Sequence, residues 1–326
     1  MDFQKLFSRY KQFGGFRLVI EYTKLGVHGS VAKEFFRCLV KRHSFKQVYP
    51  VVLENVEPFL IQKYGTRIPL IAQRIKANKN LPNKTNKIIW FCWFQGLEQA
   101  PDIVYACYNS IKRNIPDREI KIINNENWKK HVVLPDYIVK KWEKGKIPAA
   151  LFSDLLRLEL LIKYGGTWID STVLCTGFNS SNVQEFKEYL NADLFLFQYT
   201  KQGSIPVSIS NWFITACSNN EVLIMLRDML YAYWKDYDCT LDYYIFHLFF
   251  SMLSKEFPEK ILGMPYGQSM DSLALLHHWG EKFDQKKWDR HVANVSFHKL
   301  AYRVNENVVE NKENFYNHIL SDYGRF

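Results

Sequence analysis

The 326-residue chain predicts an α/β fold, a sheet covered by helices, with a helical N-terminal extension in front of it. Three observations lead there. KIIWFCWF (87–94) is a continuous apolar run of branched and aromatic residues, the pattern of a strand buried on both faces. IVYACYNSIKRNIP (103–116) carries a helical apolar stripe, and REIKIINNENW (118–128) reads as a second strand. That strand, helix, strand order is a βαβ unit and predicts a parallel sheet with helical cover. Residues 1–76, by contrast, look helical in pieces.

The elements follow in order. VAKEFFRCLVKRH (31–43) places Val31, Phe35, Cys38 and Leu39 on one stripe, with Lys33, Arg37 and Lys41 elsewhere. A second helix runs from Val52 to Gly65, with Gly65 as C-cap, and IPLIAQRIKANKN (68–80) is a third. NLPNKTNK (80–87) reads as a linker, so 1–80 is expected as a basic helical region and 81–326 as the main domain. Further on, IPAALFSDLLRLELLIKYGG (147–166) is a helix that starts at Pro148 and stops at Gly165. TWIDSTVL (167–174), ADLFLFQYT (192–200), PVSISNWFITACS (206–218) and a short piece of VSFHKLAYR (295–303) are strands. NEVLIMLRDMLYAYWKDY (220–237) and LDYYIFHLFFSMLSKEF (241–257) are helices.

Composition narrows the class. Hydrophobic residues make up 47% of the chain, enough for a sizeable core. The six cysteines show no paired spacing, which argues against zinc and a disulfide framework and for a reducing cytoplasm. No apolar stretch reaches the length of a membrane span, and the basic, amphipathic start lacks a secretory apolar core. Charge is uneven: residues 1–87 hold 17 Lys and Arg against 5 Asp and Glu, whereas the remainder holds 26 against 28. All net basicity therefore lies in the first quarter, which points to an anionic partner there or to an ordinary solvated face.

The chemistry concentrates around YGGTWIDST (164–172). Asp154 and Arg157 share a face of the helix that precedes it, a common pairing in its own right. The helix passes through a glycine stop into a strand that delivers Asp170 at its C-terminal end, the edge where open α/β sheets bind ligands. Strand alternation puts Asp170 and Thr172 on one face and Ser171 on the other. A carboxylate with a hydroxyl two residues on suits Mg²⁺ or Mn²⁺, which prefer oxygen and keep substrate phosphates in their shell. The competing reading is an Asp that caps a turn.

PAALFSDLLRLELLIKYGGTWIDST and the opening KIIWFCWFQG resemble the capsular polysaccharide synthesis glycosyltransferases, relatives of glycosyltransferase family 32. The resemblance covers roughly residues 87–175. It implies a GT-A-like, Rossmann-type mixed sheet and a DXD-type site. By it Trp93 walls the nucleobase with Gly96 beside it, and Asp154 bonds a ribose or sugar hydroxyl. Arg157 holds the donor sugar or a phosphate, and Asp170 binds Mn²⁺ or Mg²⁺. Thr172 stands where a second aspartate usually falls. The metal is therefore expected to bind more loosely, or to take a third ligand such as His298. His298 and Lys299 match the late metal- and phosphate-contacting segment loosely; His298, like His247, His277 and His278, also reads as a surface or sheet-edge histidine.

The implied reaction moves a hexose, from UDP-galactose or UDP-glucose, to a lipid-linked saccharide with retention of configuration. The expected place is the cytoplasmic face of a bacterial membrane, with the basic N-terminal helices on anionic lipid. Asp242 is placed either on the acceptor side or as the N-cap of its helix. Three rivals remain at this point. A nucleic-acid-binding protein would share the basic charge and aromatics, but these fall in different segments and no such motif appears. A metal-dependent phosphohydrolase would want a cluster of carboxylates and histidines. A silent relative would show decay, which intact Trp93, Asp154 and Arg157 do not suggest.

Overall fold

The structure, a computed structural model, describes residues 11–40, 48–77, 83–202 and 205–325. The end of the predicted helix 31–43 and the start of the predicted linker lie outside these residues, and the side chains of Phe35, Cys38 and Leu39 are likewise outside the description.

The chain forms two compact units. One draws on Met1–Asn80, Val133–Leu156 and Glu221–Glu256; the other on Leu81–Val132, Arg157–Asn220 and Phe257–Phe326. The N-terminal region therefore shares its unit with two later segments. The reason is visible in their contacts. Tyr64 packs edge-on against Phe249 at 5.2 Å and donates from its hydroxyl to Asp236 at 2.9 Å. Tyr22 donates to the Leu241 carbonyl at 2.8 Å, and Arg17 pairs with Asp238 at 2.6 Å. An amphipathic helix must bury its apolar stripe somewhere, and here helices Glu221–Asp236 and Ile245–Glu256 receive it.

The second unit carries a five-stranded sheet in the order β2-β1-β3-β6-β5. Its strands are β1 (Ile88–Cys92), β2 (Glu119–Ile123), β3 (Gly166–Asp170), β5 (Leu194–Gln202) and β6 (Ile205–Ala216). β1 pairs in parallel with β2 and β3, as the βαβ order requires. β6 and β5 run antiparallel, so the sheet is mixed, as the family resemblance implies, and not wholly parallel. The short connection between β5 and β6 explains this, because a hairpin joins only antiparallel neighbours. A separate two-stranded sheet pairs β4 (Val173–Cys175) with β7 (Phe297–Lys299). Helices Asp102–Asn114 and Phe315–Tyr323 share a core with the sheet, Ile103, Cys107, Phe315 and Ile319 gathering with Ile89, Phe91, Ile169 and Phe213. The short helices Asp136–Glu143, Val183–Asn191, Ser269–His278 and Gln285–Asn294 had no counterpart in the sequence reading.

The turn into β3 is fixed by two glycines. Gly165 takes φ +71° and donates its N–H to the Leu161 carbonyl at 2.8 Å, ending the helix Ala149–Tyr164. Gly166 takes φ +99°, and a Cβ there would stand 2.4 Å from the Ile88 carbonyl oxygen. No side chain fits where β1 and β3 meet. Gly166→Ala is therefore expected to lose about 3 kcal/mol or more, or to fail to fold. Gly145→Ala, at φ +64° in open space, is expected to lose only about 1–2 kcal/mol. Denaturant titration of both variants checks this; equal losses would show that the strand contact does not matter.

Candidate active site

Strand β3 delivers Asp170 opposite Cys92 of β1 in the parallel register. Trp93 follows Cys92 directly, so both residues stand at the C-terminal edge of the sheet. The side chain of Asp170 keeps 25% of its surface exposed, while that of Arg157 is 4% exposed. A guanidinium buried to that degree must be compensated. Arg157 Nη2 reaches Asp170 Oδ1 at 3.2 Å, and Nη1 donates to the Asn211 carbonyl at 2.6 Å. Its plane lies over the Trp168 ring at 4.9 Å. The Trp168 indole N–H donates to the same Oδ1 at 2.8 Å. Strand alternation places Trp168 and Asp170 on one face, so a single strand supplies both the carboxylate and its aromatic neighbour.

The other carboxylate oxygen is also taken. Lys299 Nζ lies 3.4 Å from Asp170 Oδ2 and donates to Thr172 Oγ1. Lys299 stands across from Val173 in the β4–β7 pair, and Leu300 N–H donates to the Thr172 carbonyl at 2.7 Å. This anchors the segment that leads on to Tyr302. The Tyr302 ring meets Trp93 edge to face at 5.4 Å. The Trp93 indole nitrogen is buried and has no hydrogen-bond partner among the described residues. Gly96 takes φ +88° in the loop beyond, its N–H bonded to the Trp93 carbonyl at 3.0 Å.

Two sequence expectations change here. β3 ends at Asp170, and Ser171–Thr172 form a turn before β4, so the strand is not continuous through residue 174. Thr172 nevertheless comes alongside Asp170, because both contact one lysine. His298 does not join them. It is fully buried, and its Nε2 lies 3.2 Å from Thr176 Oγ1. Alternation along β7 turns it away from the face that Lys299 uses. Burial, with His291 nearby, pushes its pKa down to about 3. Burial likewise pushes the Cys92 thiol up to about 12, which makes it an inert core group beside the site.

Asp154 is buried and belongs to the first unit, three residues before Arg157 on the helix Ala149–Tyr164. Asp242 is also in the first unit; its Oδ1 accepts from Tyr244 N–H at 2.7 Å, an Asx turn that leads into helix Ile245–Glu256.

The expected divalent cation does not fit the donors as they stand. Asp170 and Thr172 already hold the Lys299 ammonium, and His298 faces elsewhere. Among the described residues no three His, Cys, Asp or Glu side chains gather as a metal-binding group. An ion on Asp170 would compete with that ammonium for the same carboxylate. What the residues do form is a carboxylate, Asp170, that holds two cations, Arg157 and Lys299. Lys299, Trp168, Tyr302 and Asn211 received no firm role in the sequence. Lys299 alone had a signal, its place in VSFHKLAYR.

A mixed sheet covered by helices, with charged and aromatic side chains at its C-terminal edge, defines an α/β protein of the kind that binds ligands at that edge. The match to the capsular polysaccharide synthesis protein family spans residues 35–319, and the chain belongs to that family. It is similar to a solved structure described as the PaToxG glycosyltransferase, with 15% identity, a TM-score of 0.39, and coverage of 81% of this chain and 98% of that one. Curated proteins offer no match.

The buried His298 imidazole gives a pH test. An unfolded histidine takes up its proton near pH 6.5, long before the buried one. The unfolded state therefore binds more protons, and stability falls as pH drops from about 6.5 toward 3. Over that range the wild-type protein is expected to lose up to about 1.4 kcal/mol per pH unit more than His298→Gln. Urea denaturation at several pH values measures the difference; parallel curves would mean that the folded imidazole titrates freely.

Proposed function

We propose that the protein is a retaining hexosyltransferase of surface-polysaccharide synthesis. It takes a hexose from a nucleoside diphosphate sugar and passes it to a saccharide acceptor. Family membership supports the transferase role, and one observation carries the site: two cations against one carboxylate at the C-terminal sheet edge. The guanidinium and ammonium gathered there suit a diphosphate, with Trp93 and Tyr302 as aromatic walls for the base.

In the reaction the bond between the anomeric carbon and the β-phosphate oxygen breaks, and its electron pair stays on the phosphate. The acceptor hydroxyl oxygen attacks from the same face. Its proton passes to the departing phosphate oxygen, which keeps the configuration. The protein contributes position and charge. Arg157 is held by Trp168, Asn211 and Asp170, so the guanidinium is oriented before substrate arrives. Asp170 orients both cations. UDP-galactose and UDP-glucose are the donors we favour. Incubation with a panel of nucleotide sugars and measurement of released nucleotide tests this. Asp170→Asn is expected to lower release at least about 100-fold, and near-normal turnover in that variant would refute the site.

The acceptor we favour is lipid-linked, at an anionic membrane surface. No helix among the described residues is long and apolar enough to cross a membrane. Helix Phe16–Lys24, however, is apolar on two sides. Leu18 and Tyr22 are buried, whereas Phe16 is 73% exposed and Val19 and Ile20 share its outer face. With the basic charge of residues 1–87, this is the pattern of a helix that lies in a lipid interface. The full chain is expected to float with vesicles containing phosphatidylglycerol and not with phosphatidylcholine alone, salt weakening the binding. Joint replacement Phe16→Ser, Val19→Ser and Ile20→Ser should remove flotation without changing nucleotide release; unchanged flotation would overturn the assignment.

A further inference from the structure

We infer that Lys299 is the fixed cation of the diphosphate site, and that it takes the charge-neutralising place a divalent ion would otherwise fill. The inference rests on the hexosyltransferase reading for its substrate and on geometry for its residue. The ammonium bridges the two groups that a DXD-type site would offer a metal, Asp170 Oδ2 and Thr172 Oγ1. An ammonium carries three N–H donors. One donates to Thr172 Oγ1 and the ion pair with Asp170 orients the group, which leaves donor capacity for a phosphate oxygen.

The backbone around the lysine is also fixed. Lys299 ends β7, whose partner strand β4 begins one residue after Thr172, and the Leu300-to-Thr172 backbone bond closes the pair. A flexible side chain is thereby anchored at its root and at its tip. Asp170 takes Arg157 and Trp168 on one oxygen and Lys299 on the other. The carboxylate acts as the mount for two cations. When the anomeric carbon–oxygen bond breaks, negative charge develops on the β-phosphate. Lys299 and Arg157 meet it with whole positive charges that need no ion uptake. The proton ledger is unchanged: the acceptor proton goes to the departing phosphate, and Lys299 stays protonated throughout.

The test uses the full chain purified in EDTA. Nucleotide release from the donor panel is expected to agree within about twofold in EDTA and in Mn²⁺. Lys299→Ala is expected to lower release in EDTA at least about 100-fold, with Lys299→Arg retaining part of it. Inorganic pyrophosphate, titrated calorimetrically in EDTA, should bind the wild-type protein and bind Lys299→Ala at least about tenfold more weakly, with thermal melts confirming that the variant folds. Release that collapses in EDTA and returns with Mn²⁺ or Mg²⁺ would overturn the inference, as would unchanged pyrophosphate affinity in Lys299→Ala. If no nucleotide sugar turns over with or without metal, the hexosyltransferase reading fails instead, and the pyrophosphate titration still decides the role of Lys299.

Discussion

The carboxylate of Asp170 is the constraint around which the edge of the sheet is arranged. It sits at the last residue of β3, partly open to solvent, with a buried guanidinium on one oxygen and an ammonium on the other. Arg157 could not be buried at low cost without it, and Lys299 would lack its second contact. Trp168 serves the carboxylate twice, as an N–H donor and as the ring beneath Arg157. Removal of any one of these groups leaves the others poorly compensated, so their effects on stability and on turnover should be strongly coupled.

That arrangement depends in turn on backbone geometry at the other end of the same strand. Gly165 and Gly166 allow β3 to turn out of its helix and lie directly against β1. The parallel register then sets Asp170 across from Cys92 and Trp93 one step beyond it. Trp93 and the charged mount thus lie on adjacent strands, whose spacing is only about 5 Å. A shift of one residue in this pairing would turn Asp170 and Trp168 together toward the opposite face.

Charge also explains why the site departs from an ordinary carboxylate pair. Two aspartates would need a divalent ion between them. With an uncharged threonine at 172, a single lysine hydrogen-bonds its hydroxyl and pairs with the Asp170 carboxylate at once.

Local pattern determined much of this protein. Apolar runs announced β1, β3, β5 and β6, because a buried strand needs branched and aromatic residues along its length. The glycine pair announced the turn, because only glycine accepts those torsions. Asp170 and Arg157 stood out because a helix, a stop and a strand follow one another without a gap, and Trp93 stood out through the family resemblance of KIIWFCWFQG. Tertiary structure decided what spacing along the chain cannot encode. Lys299 lies far from Asp170 in sequence and reaches it only because β7 pairs with β4. The choice between His298 and Lys299 hinged on which face of a three-residue strand meets the sheet edge, and two adjacent residues look equally suitable until that pairing exists. The partner of the N-terminal helices was hidden for the same reason: an amphipathic stripe states that it must be covered, and only the folded chain shows by what.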